Sequence, residues 1–158
     1  MRSLFLVLLL VFSITSSAQQ SRDTTFRRCP VFITDTVSSN NFFIEGLPAT
    51  MRVYRVKGEL TIQFQQKDQF FTLFFHMKNL KTKKYIIDEG HGKRKEVEVA
   101  YSFKSGDQVS YISVSSGRLE VSFDKEKDMW HLVLNGQIRN MVERSVTYYR
   151  ARLDFYVP

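Results

Sequence analysis

Three histidines, sixteen carboxylates and one cysteine are the side chains with which this sequence could do acid–base, metal or thiol chemistry. His76, His91 and His131 stand far apart, with no ligand spacing between any two of them. Zinc needs three or four convergent N, S or O ligands, so the sequence names no metal site. Asp124, Glu126 and Asp128 alternate in the manner of calcium ligands, but Lys125 and Lys127 interleave them. Neither the glycine nor the closing glutamate of a calcium loop follows. A polar hairpin turn accounts for the same residues.

Asp88-Glu89-Gly90-His91-Gly92 sets two acids and a histidine among glycines, yet acid–base catalysis also needs a pocket and mutual geometry. Serine-nucleophile motifs and phosphate-cradling glycine loops do not occur in the sequence. The expectation is a protein with no catalytic residues, no metal ligands and no cofactor.

The elements that would position these side chains follow a leader. Arg2 precedes an unbroken apolar run from Leu4 to Phe12, and Ser13 to Ser17 lead to Ala18. Small residues at Ser16 and Ala18 fit a signal-peptidase site before Gln19. The run is much shorter than the roughly 20 apolar residues that span a bilayer. The chain therefore divides into a signal peptide at 1–18, a flexible polar segment at 19–30 and a single β-domain at 31–158. Phe26-Arg27-Arg28 before Cys29 is neither small nor apolar, which argues against a lipid acceptor there.

Loss of Arg2 with the leader lowers the formal net charge by one, from +7 to +6. A lone cysteine cannot form an internal disulfide, so the core must hold the domain. Cys29 is left as a free thiol or an intermolecular bridge. Small eukaryotic secreted domains usually carry paired cysteines, and their absence favours a bacterial periplasm or cell surface.

From Val31 onward the dominant period is two, the mark of strands with one buried face. Leu60, Ile62 and Phe64 alternate with Glu59, Thr61, Gln63 and Gln65. Val97, Val99, Tyr101 and Phe103 alternate with polar or small neighbours, as do Leu119, Val121 and Phe123. Tyr149, Ala151, Leu153, Phe155 and Val157 face one way, and Arg150, Arg152, Asp154 and Tyr156 the other. Turn chemistry falls between these runs at Gln66-Lys67-Asp68, Lys104-Ser105-Gly106-Asp107, Ser115-Ser116-Gly117 and Asp124 to Asp128. Asn140 to Arg144 reads as a connection.

The run Phe70 to Met77 is apolar on both faces. Its pattern predicts Phe71, Leu73, Phe75 and Met77 in the core, with Phe70 and Phe74 under a loop or an edge element. Spacings of about 8–12 residues between turns predict an all-β fold, an antiparallel β-sandwich or else a half-open or closed lipocalin-like barrel. In a sandwich the large side chains leave no cavity of ligand size.

Several runs also carry a resemblance. Gly58-Glu59-Leu60-Thr61-Ile62 and Tyr85-Ile86-Ile87 begin the pattern. Tyr111 and Ser116-Gly117-Arg118-Leu119-Glu120-Val121-Ser122-Phe123-Asp124 continue it, followed by Asn135-Gly136 and the final Phe155-Tyr156-Val157. In this order the chain resembles a family of small exported β-domains of unknown function from the Bacteroidetes. Lys84 departs from it where the pattern prefers glycine. The resemblance implies an antiparallel sandwich or half-open barrel and assigns no site residues.

The leading expectation is an exported β-domain module of the cell envelope, binding or structural, in the periplasm or at the cell surface, with no catalysis. Its partner would be an acidic glycan, a lipid or another envelope protein, but not nucleic acid. The basic runs Lys81 to Lys84 and Lys93 to Lys95 are the cationic features that would meet acidic groups. The alternatives are a lipocalin-like carrier of a small hydrophobic ligand and a small outer-membrane β-barrel. No transmembrane helix is expected in the mature chain.

Overall fold

The computed structural model describes residues 22–37, 47–89, 95–142 and 145–158. The expected signal peptide at 1–18 and His91 lie outside the described residues, as does the segment from Gly90 to Arg94. The described chain forms ten strands, and every pairing among them is antiparallel. They are β1 (Arg22–Phe26), β2 (Val31–Asp35), β3 (Ala49–Val56), β4 (Glu59–Gln66) and β5 (Gln69–Phe75). After these come β6 (Lys83–Asp88), β7 (Val97–Ser105), β8 (Gln108–Asp124), β9 (Met129–Val142) and β10 (Ser145–Val157).

The order β1-β3-β4-β5-β7-β8-β9-β10-β2 makes one strongly curled, half-barrel sheet, with β6 added along β8. β8 is the shared strand. Its first part, Gln108 to Ser113, pairs with β7; its second part pairs with β6 on one side and β9 on the other. Two layers result. The first is β1-β3-β4-β5-β7 with the start of β8, and the second is β6, the rest of β8, β9, β10 and β2.

The bend lies where Ser115-Ser116-Gly117 is read from sequence as a turn between strands. It is no turn. The chain stays in the ladder, with a register shift between Val114 and Ser116. An extra residue bends a strand and increases its twist. Gly117 has φ +157°, and a Cβ there would come within 2.6 Å of the Asn135 carbonyl oxygen. Opposite it, a Cβ on Gly136 would meet the Val114 side chain at 2.7 Å. Glycine is used at this corner because the two backbones approach too closely for a side chain.

The alternating faces meet between the layers. Ile62, Phe64, Phe71, Leu73, Phe75 and Val99 come from the first, and Leu119, Leu132, Leu134, Leu153 and Phe155 from the second; all are buried. Phe64 meets Phe155 edge-on at 4.8 Å between ring centroids, and Phe75 meets Tyr85 at 6.0 Å. Edge-to-face pairs of this kind add to the area they bury. Met77 packs against this core, while Phe70 and Phe74 are half-buried on the opposite face of β5.

The N-terminal segment corrects the sequence reading. Residues 22–26, expected as part of a flexible lead-in, form β1 and pair with β3 from Arg22↔Val53 to Phe26↔Ala49. The domain therefore begins before Val31. β1 and β2 are the two outer strands of the half-barrel, and the four residues between them carry the chain from one edge to the other. Cys29, buried, plugs that crossing. Burial raises its thiol pKa above the ordinary value, and a hydrogen bond with the Val31 backbone opposes the shift only in part. An intermolecular disulfide would have to open the core. Asn140 to Val142, expected in a connection, belong to β9.

Candidate functional site: a cleft at the open end of the half-barrel

The described residues do not fill the space between the two layers along its whole length. At the end defined by the β4–β5 and β7–β8 turns and by the last residues of β9, a cleft of about 500 Å³ opens between them. The expectation of no cavity of ligand size is thereby overturned among the described residues. Large side chains line this space without filling it.

Each wall comes from an inward-facing phase of a strand. From the first layer, Tyr101 and Phe103 on β7 and Ile112 on β8 line the cleft; from the second, Ile138 on β9, Tyr149 on β10 and Ile33 on β2. Tyr101 and Phe103 lie with ring centroids 5.7 Å apart. Polar groups stand at the rim and at one point of the wall: Lys67, Asp68, Gln69, Lys104 and Asn140. The Lys67-Asp68 turn needs a left-handed residue and has one, Lys67 at φ 52°. The Asp68 carbonyl accepts the Lys104 N–H at 2.8 Å, tying this turn to the end of β7.

Tyr101 is the most perturbed group of the wall. Its hydroxyl donates to Gln69 Oε1 at 3.0 Å. Its pKa is pushed up to about 12, first by loss of solvent and then by the neighbouring Tyr149. The phenol therefore stays neutral, a polar group on an apolar wall. Ligand sites have this composition: mostly apolar and aromatic, some 300–1,000 Å³ in volume, with a few placed polar groups.

The residues that the sequence offers for chemistry lie elsewhere. His76, just past β5, contacts Glu59 Oε2 through Nδ1 at 2.9 Å and Glu98 Oε1 through Nε2 at 3.5 Å. His131 on β9 contacts Asp154 Oδ1 at 2.7 Å and stacks on Tyr156 at 4.4 Å. The two histidines belong to different layers and share no carboxylate. No group of three His, Cys, Asp or Glu among the described residues is placed to hold a metal ion. Asp124 caps its own turn, its Oδ1 accepting the N–H groups of Glu126 and Lys127 at 3.1 and 3.2 Å.

Two lysines of the first run are paired. Lys83 Nζ pairs with both carboxylate oxygens of Glu96 at 2.8 and 2.7 Å, and Lys84 with Glu120 at 3.2 Å. Asp88 and Glu89 do not form an acid–base pair with a described histidine; Glu89 takes Arg139 at 2.9 Å. Among the described residues no helix is long and apolar enough to cross a membrane.

Sequence reasoning places Tyr101, Phe103 and Tyr149 inward but assigns them to packing. A signal for the cleft is present in hindsight. Gln69 and Asn140 share the inward phase of their strands near hairpin ends, where a filled core would admit apolar residues only. The chain matches no protein-family model, and neither a curated protein nor a solved structure is significantly similar to it.

Proposed function

We propose that this protein is a non-catalytic binding module of the cell envelope, taking a small hydrophobic ligand into the cleft at the open end of its half-barrel. One observation carries the reading: a cleft of about 500 Å³ walled by Tyr101, Phe103, Ile112, Ile138 and Tyr149. Hydrophobic side chains around an unfilled space gain by receiving an apolar molecule, at about 25 cal/mol per Å² of surface removed from water. The Tyr101 hydroxyl and the Gln69 amide would orient a polar end. The envelope setting rests on the leader sequence and on the resemblance to exported Bacteroidetes domains.

The test is calorimetric titration with a medium-chain fatty acid, decanoate, together with mass spectrometry of organic extracts from protein purified out of its native envelope. One ligand per chain is expected. Ile112→Trp places an indole in the cleft from a partly buried position and should weaken decanoate binding about tenfold or more, as lost apolar contacts do. Absence of saturable binding to decanoate and of any extracted hydrophobic molecule would sink the reading.

A further inference from the structure

We propose that the outer face of the second layer, centred on Arg150 and Arg152, binds a linear acidic glycan through its carboxylate or sulfate groups. This site is separate from the cleft and does not depend on it. β10 lies between β9 and β2, so its outward residues stand in the middle of a sheet face. Arg150 lies opposite Gln137 on one side and Thr34 on the other; Arg152 lies opposite Asn135 and Phe32. Asn135 in turn faces Arg118 across β8. Arg118 and Arg152 are thus two strand spacings apart, about 10 Å.

The charges on this face divide unequally. Arg139 is held by Glu89 at 2.9 Å, Lys84 by Glu120 at 3.2 Å, and Asp154 by His131 at 2.7 Å. Arg118 reaches Glu120 only at 3.8 Å. Arg150 and Arg152 are exposed and make no hydrogen bond or ion pair with any described residue. Asp35, near Arg150, already accepts the Val37 N–H at 2.7 Å. Two adjacent guanidinium forks are therefore presented to solvent, a geometry suited to planar or tetrahedral oxyanions.

Shape adds to charge. Beside the arginines lies a groove of about 360 Å³, bordered by Ser116, Asn135 and Gln137 and floored by Gly117 and Gly136. The outward side chains around this backbone floor, Ser116, Asn135 and Gln137, are all polar. On the β2 side a second groove of about 340 Å³ is bordered by Thr34, Asp35 and Thr36. Amide and hydroxyl groups around a bare backbone floor suit sugar hydroxyls. Insertion into lipid calls for protruding apolar groups; Ile86, Val146 and Tyr148, exposed on this layer, border neither groove.

The purified protein should be tested by calorimetric titration with a heparin oligosaccharide and by co-sedimentation with phosphatidylglycerol vesicles. The double variant R150A/R152A should bind heparin about tenfold more weakly, with a shallower dependence of affinity on salt, because two anion contacts are lost. K78A/K125A removes equal charge from two exposed positions elsewhere and should change affinity by no more than about twofold if steering is general. Unchanged thermal midpoints would confirm that both variants fold. Equal losses in the two variants, no heparin binding by the parent, or arginine-dependent binding to vesicles alone would each overturn the proposal.

Discussion

The space between the two layers is one continuous interior, yet its two ends behave differently. Around Phe64, Phe75, Tyr85 and Phe155, rings from opposite layers meet at 4.8 to 6.0 Å. Around Tyr101, Ile112, Ile138 and Tyr149, residues of the same kinds line the cleft. Composition does not separate these ends, so side-chain size alone does not decide where the described interior is filled.

The largest expected effect lies at the packed end. Phe155→Ala should cost about 3–5 kcal/mol in chemical denaturation, the range for removing a buried aromatic ring with incomplete collapse around the void. Ile112→Ala, at the cleft wall, removes contacts from one side only and should fall below the usual 2–5 kcal/mol for a buried aliphatic residue. Equal costs would mean that the cleft collapses in solution.

A smaller effect is expected at the corner joining the two layers. Gly117→Ala combines a left-handed backbone at φ +157° with a Cβ placed 2.6 Å from a neighbouring carbonyl oxygen. The strain should cost about 1–3 kcal/mol. If the variant keeps its stability, β8 can shift its bulge, and the corner joining the layers is adjustable. Ligand affinity at the cleft should then change along with it.

The legible part of this molecule was its alternation. Leu153 and Phe155 are buried and Arg150 and Arg152 exposed on the final strand, as a period of two requires once one face is apolar. Serine and glycine at 115–117 misled because the same residues serve a turn and a bulge. Only pairing with β9 tells the two apart. Residues 22–26 misled because Arg-Asp-Thr-Thr-Phe has one apolar side chain. Its strand exists because the edge of β3 offers it a ladder.

The lysine runs drew attention by density along the chain. The charge of the proposed glycan face lies on arginines two residues apart whose neighbours in space come from β2 and β9. No composition window reports that. The cleft was the least legible feature, since residues of the same kinds line it and fill the packed end.

The smallest effect is also the one that most sharply tests whether the open end is dry. Tyr101 has its pKa pushed up from 10 to about 12, chiefly because its hydroxyl has lost solvent. An unfolded chain ionises this phenol near pH 10, whereas the folded chain resists until about pH 12. The unfolded state therefore binds fewer protons across that window, and stability falls as pH rises through it. The contribution is fully present below pH 10. Denaturant midpoints measured from pH 8 to pH 11.5 should decline at the alkaline end. In Tyr101→Phe, which has no phenol to ionise, the decline should be shallower. Tyr54, Tyr85 and Tyr111, also raised by burial, keep it from vanishing. Parallel curves for parent and variant would mean that water already reaches the Tyr101 hydroxyl. The cleft would then be a wet notch, and the contrast between the two ends would be one of shape alone.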